Sequence, residues 1–501
     1  MNVEPVFNEF EKLYVKDKPQ VVWNTLIADL ETPVSAMLKL ANNKPNSFLL
    51  ESVEGGSVRG RYSIIGMDPD IIWRCHGNRA EIKHITQKTK GKFKVCRRNS
   101  IESLTDLVKN SQIELPESMP PMAAGLVGYL GYDTVTLMEN IPSTHIDPLK
   151  LPDGLFIRPT IMAIFDLVKD TVIIVTPVRP RKNISAKSAY NSAKKRLEKV
   201  LYDLNGKLVH KEPKASDLKS AKRPISNTTP STFKKMVKKA KEYIFAGDVF
   251  QVVLSQRFSI PFLLPPFALY RALRRTNPSP FLFFLNFGDF SIVGSSPEIL
   301  IRLRDRKLTL RPLAGTRPRG ANPTEDQELE NELLKDEKEL AEHLMLLDLG
   351  RNDIGRVAKI GTVSVTEKMV IEKYSHVMHI VSNIEAEIDP NFHAVNALVA
   401  AFPAGTVTGA PKIRAMEIIQ ELELEKRGVY SGVVGYFSAN GSMDTCIVLR
   451  TALVKDKKVY IQAGAGIVAD SDAEKEQQEC KNKALALIKA VEEAIRYAGD
   501  S

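Results

Sequence analysis

Four strand-like segments follow one another closely in the second half of the chain: Phe281–Phe287, Phe290–Ser295, Ile299–Leu303 and Lys307–Pro312. The gaps between them are a few residues each. A parallel neighbour needs a crossover of a dozen residues or more, so these strands have to pair antiparallel. An antiparallel sheet with apolar faces must be covered, and the flanking helical patterns are the available cover. The expected class is therefore α+β: antiparallel β-sheets packed as a sandwich, with helices on the outside.

The same reading extends along the chain. Strands are expected at Phe48–Leu50, Ile64–Gly66, Ile71–Cys75, Glu81–Ile85 and the glycine-spaced Gly125–Gly131, with a loop at Gly55–Gly56. A hairpin about Val168–Asp170 joins Thr160–Phe165 to Thr171–Thr176. Later strands are Val249–Phe258, Gly361–Lys368, Val377–Ala386, Tyr436–Phe437, Thr445–Leu453 and Lys458–Ala463. Helices are expected at Ser35–Ala41, Ile101–Asn110, Ala186–Leu204, Ser231–Ala246 (behind a Ser or Thr cap), Thr324–Leu349, Ala394–Phe402, Pro411–Leu424 and Ala473–Tyr497. Lys207–Pro230 is polar, basic and rich in Pro, Ser and Thr, a linker composition. It divides the chain into a β-rich domain at 1–220 and a second domain at 231–497.

Composition excludes several function classes. With 43% apolar and 26% charged residues the chain is an ordinary globular protein. Much of its net charge of +10 sits in Arg179–Lys241, a solvated linker and helix face rather than a nucleic-acid surface. Four scattered cysteines with no CxxC fit neither a zinc ribbon nor a disulfide scaffold and suit a reducing cytoplasm. The N-terminus has acids where a signal peptide needs bases. The most apolar tract, Phe281–Phe287, is too short to span a bilayer, so no membrane partner is expected.

Chemistry concentrates in Gln462–Lys483. A strand bearing Gly464 and Gly466 leads through a polar turn to a helix with Glu476 and Glu479 on one face. The earlier helix repeats the pattern with Glu339 and Glu342. Mg²⁺ takes oxygen ligands, usually one or two carboxylates with water and substrate oxygens, so one inner glutamate from each helix would suit it. Ala314–Gly315–Thr316 and Pro403–Lys412 are further glycine-bearing loops. The second lacks P-loop order, and GxGxxA at Gly464 is not followed at once by a helix, which argues against a dinucleotide site. Arg450 is a candidate carboxylate ligand, and His379 a candidate acid or base. Tyr430, just before the SGVVGYF segment, reads as structural. No Ser–His–Asp order, cysteine nucleophile motif or HExxH is present.

The motifs taken together resemble the chorismate-utilising enzymes: LLES (Leu49–Ser52), NPSPFLFF (Asn277–Phe284), SSPEIL, RPLAGTRPRG, KELAEHLMLLDLGRNDIGRV, HVMHIVS, PAGTVTGAPKIRAMEII, DTCIVLRTA and QAGAGIVADSD. The resemblance implies that family's fold and the reaction of chorismate with ammonia to give anthranilate and pyruvate, with Mg²⁺. It implies Mg²⁺ at Glu342 and Glu479, with Glu339 and Glu476 holding its waters. Arg450, Tyr430 and the backbone of Gly464, Ala465 and Gly466 would hold the enolpyruvyl carboxylate, with Lys483 facing a carboxylate as well. Gly315 and Thr316 line the same pocket. His379 matches the acid–base histidine and Thr406 a neighbouring polar contact. Gln251 stands where water-adding members place a lysine base. Ala314 stands where aminodeoxychorismate-forming relatives usually carry a lysine nucleophile, as in PIKGT. Both positions favour ammonia chemistry that ends in anthranilate.

The resemblance also implies a separate glutamine amidotransferase partner, since no cysteine elbow for glutamine hydrolysis is present. It implies a tryptophan inhibitor site, with Leu50, Ser52, Tyr62, Pro280, Phe281 and Leu282 as its residues. Ala473 replaces a proline common at that helix start, a change of little expected effect. The alternatives are an isochorismate- or salicylate-forming member, an aminodeoxychorismate-forming member, and a non-catalytic tryptophan-binding subunit.

Overall fold

A computed structural model describes residues 2–41, 43–54, 58–85, 91–120, 122–142, 145–208, 223–374 and 377–499. The expected Gly55–Gly56 loop and most of the 207–230 linker lie outside them. Every ladder between its strands is antiparallel. Three apolar clusters set the layers. One draws on strands and loops alone, with Phe48, Ile64, Ile157, Val175, Phe283, Ile292, Val434 and Leu453 between opposed sheet faces. The other two pack helices onto the outer faces. Leu104, Val237, Leu347, Leu398 and Ile419 cover one side; Phe10, Met37, Leu197, Tyr270 and Leu487 cover the other. The sandwich with helices outside is thus what the sequence leads one to expect.

The strands of the two chain halves interleave. Ser47–Glu54 pairs with Phe281–Asn286, opposing Leu50 to Phe283 and Glu51 to Leu282. Gly125–Leu130 pairs with Val433–Ser438. All three clusters contain residues from both sides of the linker.

Several elements differ from their sequence reading. Thr324–Leu349 is not one helix but two, Pro323–Leu333 and Glu337–Gly355. Asp336 starts the second by accepting from the Lys338 and Glu339 amides at 3.1 and 3.2 Å. The uniform charge pattern on either side hides this cap. Thr445–Leu453 is likewise split, into Met443–Ile447 and Thr451–Lys455, with Arg450 left-handed at φ 46° in the break. Ile64–Gly66 and Ile71–Cys75 belong to a single strand, Val58–His76. The helix Phe7–Tyr14 and the strand Gln20–Ile27, which pairs with Thr171–Val178, are not among the expected elements.

Candidate active site

One wall of the site is the strand pair Lys458–Ile467 and Gln251–Pro261, in which Gly466 faces Val253 and Gly464 faces Ser255. The two glycines leave room for side chains that cross them. A Cβ at Gly466 would lie 2.6 Å from the Gln251 amide nitrogen, and one at Gly464 would lie 2.8 Å from the Tyr430 hydroxyl. Gln251 continues across the strand and donates from Nε2 to Glu342 Oε1 at 2.9 Å. Lys483 donates to the Gly464 carbonyl at 3.1 Å and pairs with Glu479 at 2.7 Å. The two inner glutamates are therefore tied to the same strand pair from different helices. Ala465 turns its methyl into the core, so only its backbone faces this wall.

The opposite wall is built on Gly315. It is the extra residue of a bulge: Ala314 pairs with Ile380 and Thr316 with His379. Its φ of +65° is one that a side chain resists, and a Cβ there would meet Ile380, Leu333 and, at 3.3 Å, Glu339. The bulge turns the Gly315 carbonyl onto His379 Nδ1, which donates to it at 3.0 Å; Thr316 Oγ1 is 3.1 Å from the same nitrogen. That bond leaves Nε2 without a proton in the neutral ring. Burial keeps the ring neutral by lowering its pKa to about 4, with the Arg450 charge acting the same way. Tyr374 packs edge-on at 5.6 Å between ring centres.

Arg450 has no carboxylate partner among the described residues. Burial lowers its pKa, and Tyr374 is the one group that offsets this. A half-buried guanidinium with no carboxylate partner among the described residues is prepared for an anionic ligand.

The carboxylate pairs behave as like charges held together. Glu339 is raised by burial and then by Glu342. Glu476 is raised by burial and, among its neighbours, by Glu479. Lys338, hydrogen-bonded to Asp470, lies in the field of both Glu476 and Glu342, which places the two helix faces near one another. Among the described residues no three His, Cys, Asp or Glu side chains form a metal cage. The donors at these faces are carboxylate oxygens, neither imidazole nor thiolate. That set fits a hard cation that completes its shell with water and substrate oxygens.

Thr406 leads to a residue that the motifs did not single out. Its hydroxyl donates at 2.8 Å to Glu298 of SSPEIL, which sits in the turn between Phe290–Ser296 and Ile299–Arg304. Glu298 is buried with no basic partner, and burial pushes its pKa up to about 8. It therefore carries a proton at neutral pH. The signal available in the sequence is an acid inside an apolar strand corner with no base near it.

The second cluster of expected residues also assembles. Leu50, Tyr62 and Phe281 pack on the same inner-sheet face, and the Ser52 hydroxyl lies over Gly60. Pro280 precedes Phe281 at the strand start. Leu282 points the other way, into the outer core, because alternate residues of a strand face opposite sides. Glu51 fastens this strand to the helix Pro266–Thr276, accepting from Arg274 at 2.6 Å and Tyr270 at 2.5 Å. Burial alone would raise its pKa, but these donors hold it below the ordinary carboxylate value.

Residues 47–489 match the chorismate binding enzyme family, and the chain belongs to that family. Within it the chain groups with the anthranilate synthase component 1 proteins. It is 55% identical to the one from Cereibacter sphaeroides over 98% of both chains, and 44% identical to the one from Synechocystis over 98% of this chain and 99% of the other. The crystal structure of anthranilate synthase component I from Streptococcus pneumoniae superposes with a TM-score of 0.74 at 36% identity, covering 92% of this chain and 98% of that one. The menaquinone-specific isochorismate synthase MenF of Escherichia coli shares the fold, with a TM-score of 0.70 at 19% identity over 95% of both chains.

Proposed function

We propose that this chain converts chorismate and ammonia to anthranilate and pyruvate, the entry reaction of tryptophan synthesis, as the chorismate-binding component of an anthranilate synthase. What supports this reading most is a neutral His379 whose Nδ1 is fixed on the Gly315 carbonyl, within the field of an Arg450 that has no carboxylate partner among the described residues. Proton transfers accompany both halves: the departing hydroxyl and the enolpyruvyl carbon each gain a proton, and the nitrogen added at C2 and then C2 itself each lose one. In the first half, ammonia attacks ring carbon C2, the diene shifts, and the C4 hydroxyl departs. Glu298 can give that hydroxyl its proton so that it leaves as water. In the second half, the C2 proton is lost, the C3–O bond breaks and the ring becomes aromatic. His379 Nε2 is the available base, and the enolpyruvyl group takes up a proton to leave as pyruvate. Arg450, Tyr430 and the Gly464–Gly466 backbone hold a carboxylate of the substrate, while Lys483 and Gln251 orient the acidic helices.

Glu342 and Glu479 would hold Mg²⁺, with Glu339 and Glu476 directing its waters. When bound there, the ion would supply Lewis-acid stabilisation at the ring carboxylate. Gln251 cannot serve as a water-activating base, and Ala314 cannot attack the ring, so ammonia is the nucleophile and no covalent intermediate forms. Product analysis tests the reading. With chorismate, ammonium and Mg²⁺, fluorescent anthranilate and pyruvate are expected in equal amounts; isochorismate, salicylate or aminodeoxychorismate instead would overturn it.

Ammonia is scarce at neutral pH, and the relatives' name of component 1 implies a second component; a glutamine amidotransferase chain would supply it. No described helix is long and apolar enough to cross a membrane, and we place the enzyme in the cytoplasm. Tryptophan would bind beside Leu50, Ser52, Tyr62, Pro280 and Phe281, with Leu282 contributing backbone only. Ser52→Phe is expected to raise the tryptophan concentration for half-inhibition about tenfold or more while kcat stays within about twofold, consistent with a coupling of about 1–3 kcal/mol between sites. An unchanged inhibition curve would remove Ser52 from the site.

A further inference from the structure

We infer that His343 is a positioning residue whose ring, through Ser382, holds the helix bearing Glu339 and Glu342 in fixed register against the strand bearing His379. His343 is fully buried, and its Nε2 lies 2.6 Å from the Ser382 hydroxyl. Among the described residues this is the only side-chain hydrogen bond between the helix Glu337–Gly355 and the strand Val377–Glu387. The rest of that contact is apolar packing, which resists separation but not sliding or rotation.

The bond reaches further than two residues. Ser382 Oγ also accepts the Met369 amide at 3.0 Å. Met369 is left-handed at φ 52° and sits where the strand Ser364–Lys373 slips register between Glu367 and Val370. The hydroxyl thus plugs the irregularity in the neighbouring strand. That strand runs on to Tyr374, whose ring backs His379. One hydroxyl therefore joins the acidic helix, the histidine strand and the strand that leads to Tyr374.

Packing alone does not account for a histidine here. Its Nδ1 is buried with no hydrogen-bond partner. A leucine of similar reach would carry no such cost. The position tolerates one orphaned nitrogen and gains a directional bond in return.

The inference rests on Glu342 being a metal ligand, and the test separates the two. Full-length wild type, His343→Leu, His343→Gln and Ser382→Ala are compared in ammonia-driven turnover and in Mn²⁺ binding followed by electron paramagnetic resonance. Supporting groups around metal ligands typically change affinity or activity by about 10–100-fold. His343→Leu and Ser382→Ala are each expected to weaken Mn²⁺ binding about tenfold and lower kcat about tenfold, with the KM for chorismate within about threefold. His343→Gln, which restores a nitrogen near Nε2, should recover most of both. The double variant should be no worse than the worse single one, since both remove the same bond. Mn²⁺ affinity equal in wild type, His343→Leu and Ser382→Ala overturns the inference alone, as does a His343→Gln protein as impaired as His343→Leu. If His343→Leu does not fold, Ser382→Ala decides by the same criterion. No Mn²⁺ binding by wild type removes the metal assignment and this inference with it.

Discussion

Replacing Glu298 by glutamine should lower kcat by about 10²–10⁴-fold, the usual range for a positioned general acid. Glutamine keeps the shape and accepts the Thr406 hydrogen bond, so the KM for chorismate should move little. The wild-type pH profile should fall on its alkaline side as Glu298 loses its proton near pH 8. The effect of the substitution on alkaline stability should have the opposite sign to its effect on rate. The folded pKa lies above the ordinary value of 4.5, so the fold favours the protonated form. The stability associated with it is fully present below 4.5 and is lost as pH rises through about 8. Glutamine has no proton to lose. At about pH 9 the Glu298→Gln protein should therefore melt at or above the wild-type temperature while being almost inactive. Rates and thermal melts at about pH 6 and about pH 9, on either side of the titration, check both halves. Wild-type kcat in the variant would exclude Glu298 as the acid, and an alkaline loss of melting temperature equal to that of wild type would show that it is not buried as a neutral group.

Glu342→Gln and Glu479→Gln, made separately, should each abolish metal-dependent turnover, by about 10³-fold or more when the ion provides several kcal/mol of charge stabilisation. The amide preserves volume but removes the charge, and among the described residues no group of three His, Cys, Asp or Glu side chains offers a replacement cage. Gln251 donates to Glu342, so the amide introduced by Glu342→Gln can turn its carbonyl to the same donor and the fold should survive. The measurement is turnover against Mg²⁺ concentration, with thermal melts to confirm folding. Near-wild-type activity in both variants would remove the metal assignment.

How much of this was legible beforehand depended on the kind of signal. Short gaps between strands force antiparallel pairing, so the sandwich could be read without seeing which strands meet. Glu339, Glu342, Glu476 and Glu479 were visible because residues three apart on a helix share a face. The break at Asp336 was not, since acids and bases continue on both sides and only the cap hydrogen bonds mark it. The chain around Arg450 reads as unbroken strand because Thr, Cys, Ile, Val and Leu all favour one; the left-handed turn is imposed by tertiary structure. Glu298 escaped because its meaning is its surroundings. A glutamate in SSPEIL looks like any other until the residues that desolvate it, distant in sequence, are in place. The face of Leu282 follows from strand alternation, but only once the register with Leu50 is known.

The interleaved strands have a practical consequence for anyone wishing to separate catalysis from control. Removing the first half of the chain would strip Ser47–Glu54 from Phe281–Asn286 and Gly125–Leu130 from Val433–Ser438. Two long apolar edges would then lie open, the kind that recruit other chains and precipitate. A truncated form that keeps only the second half is thus closed off by construction. If tryptophan binds at the proposed site, desensitisation would have to proceed by point changes around Leu50 and Ser52 that leave every ladder intact and do not loosen the frame that holds Glu298 and Arg450 in place.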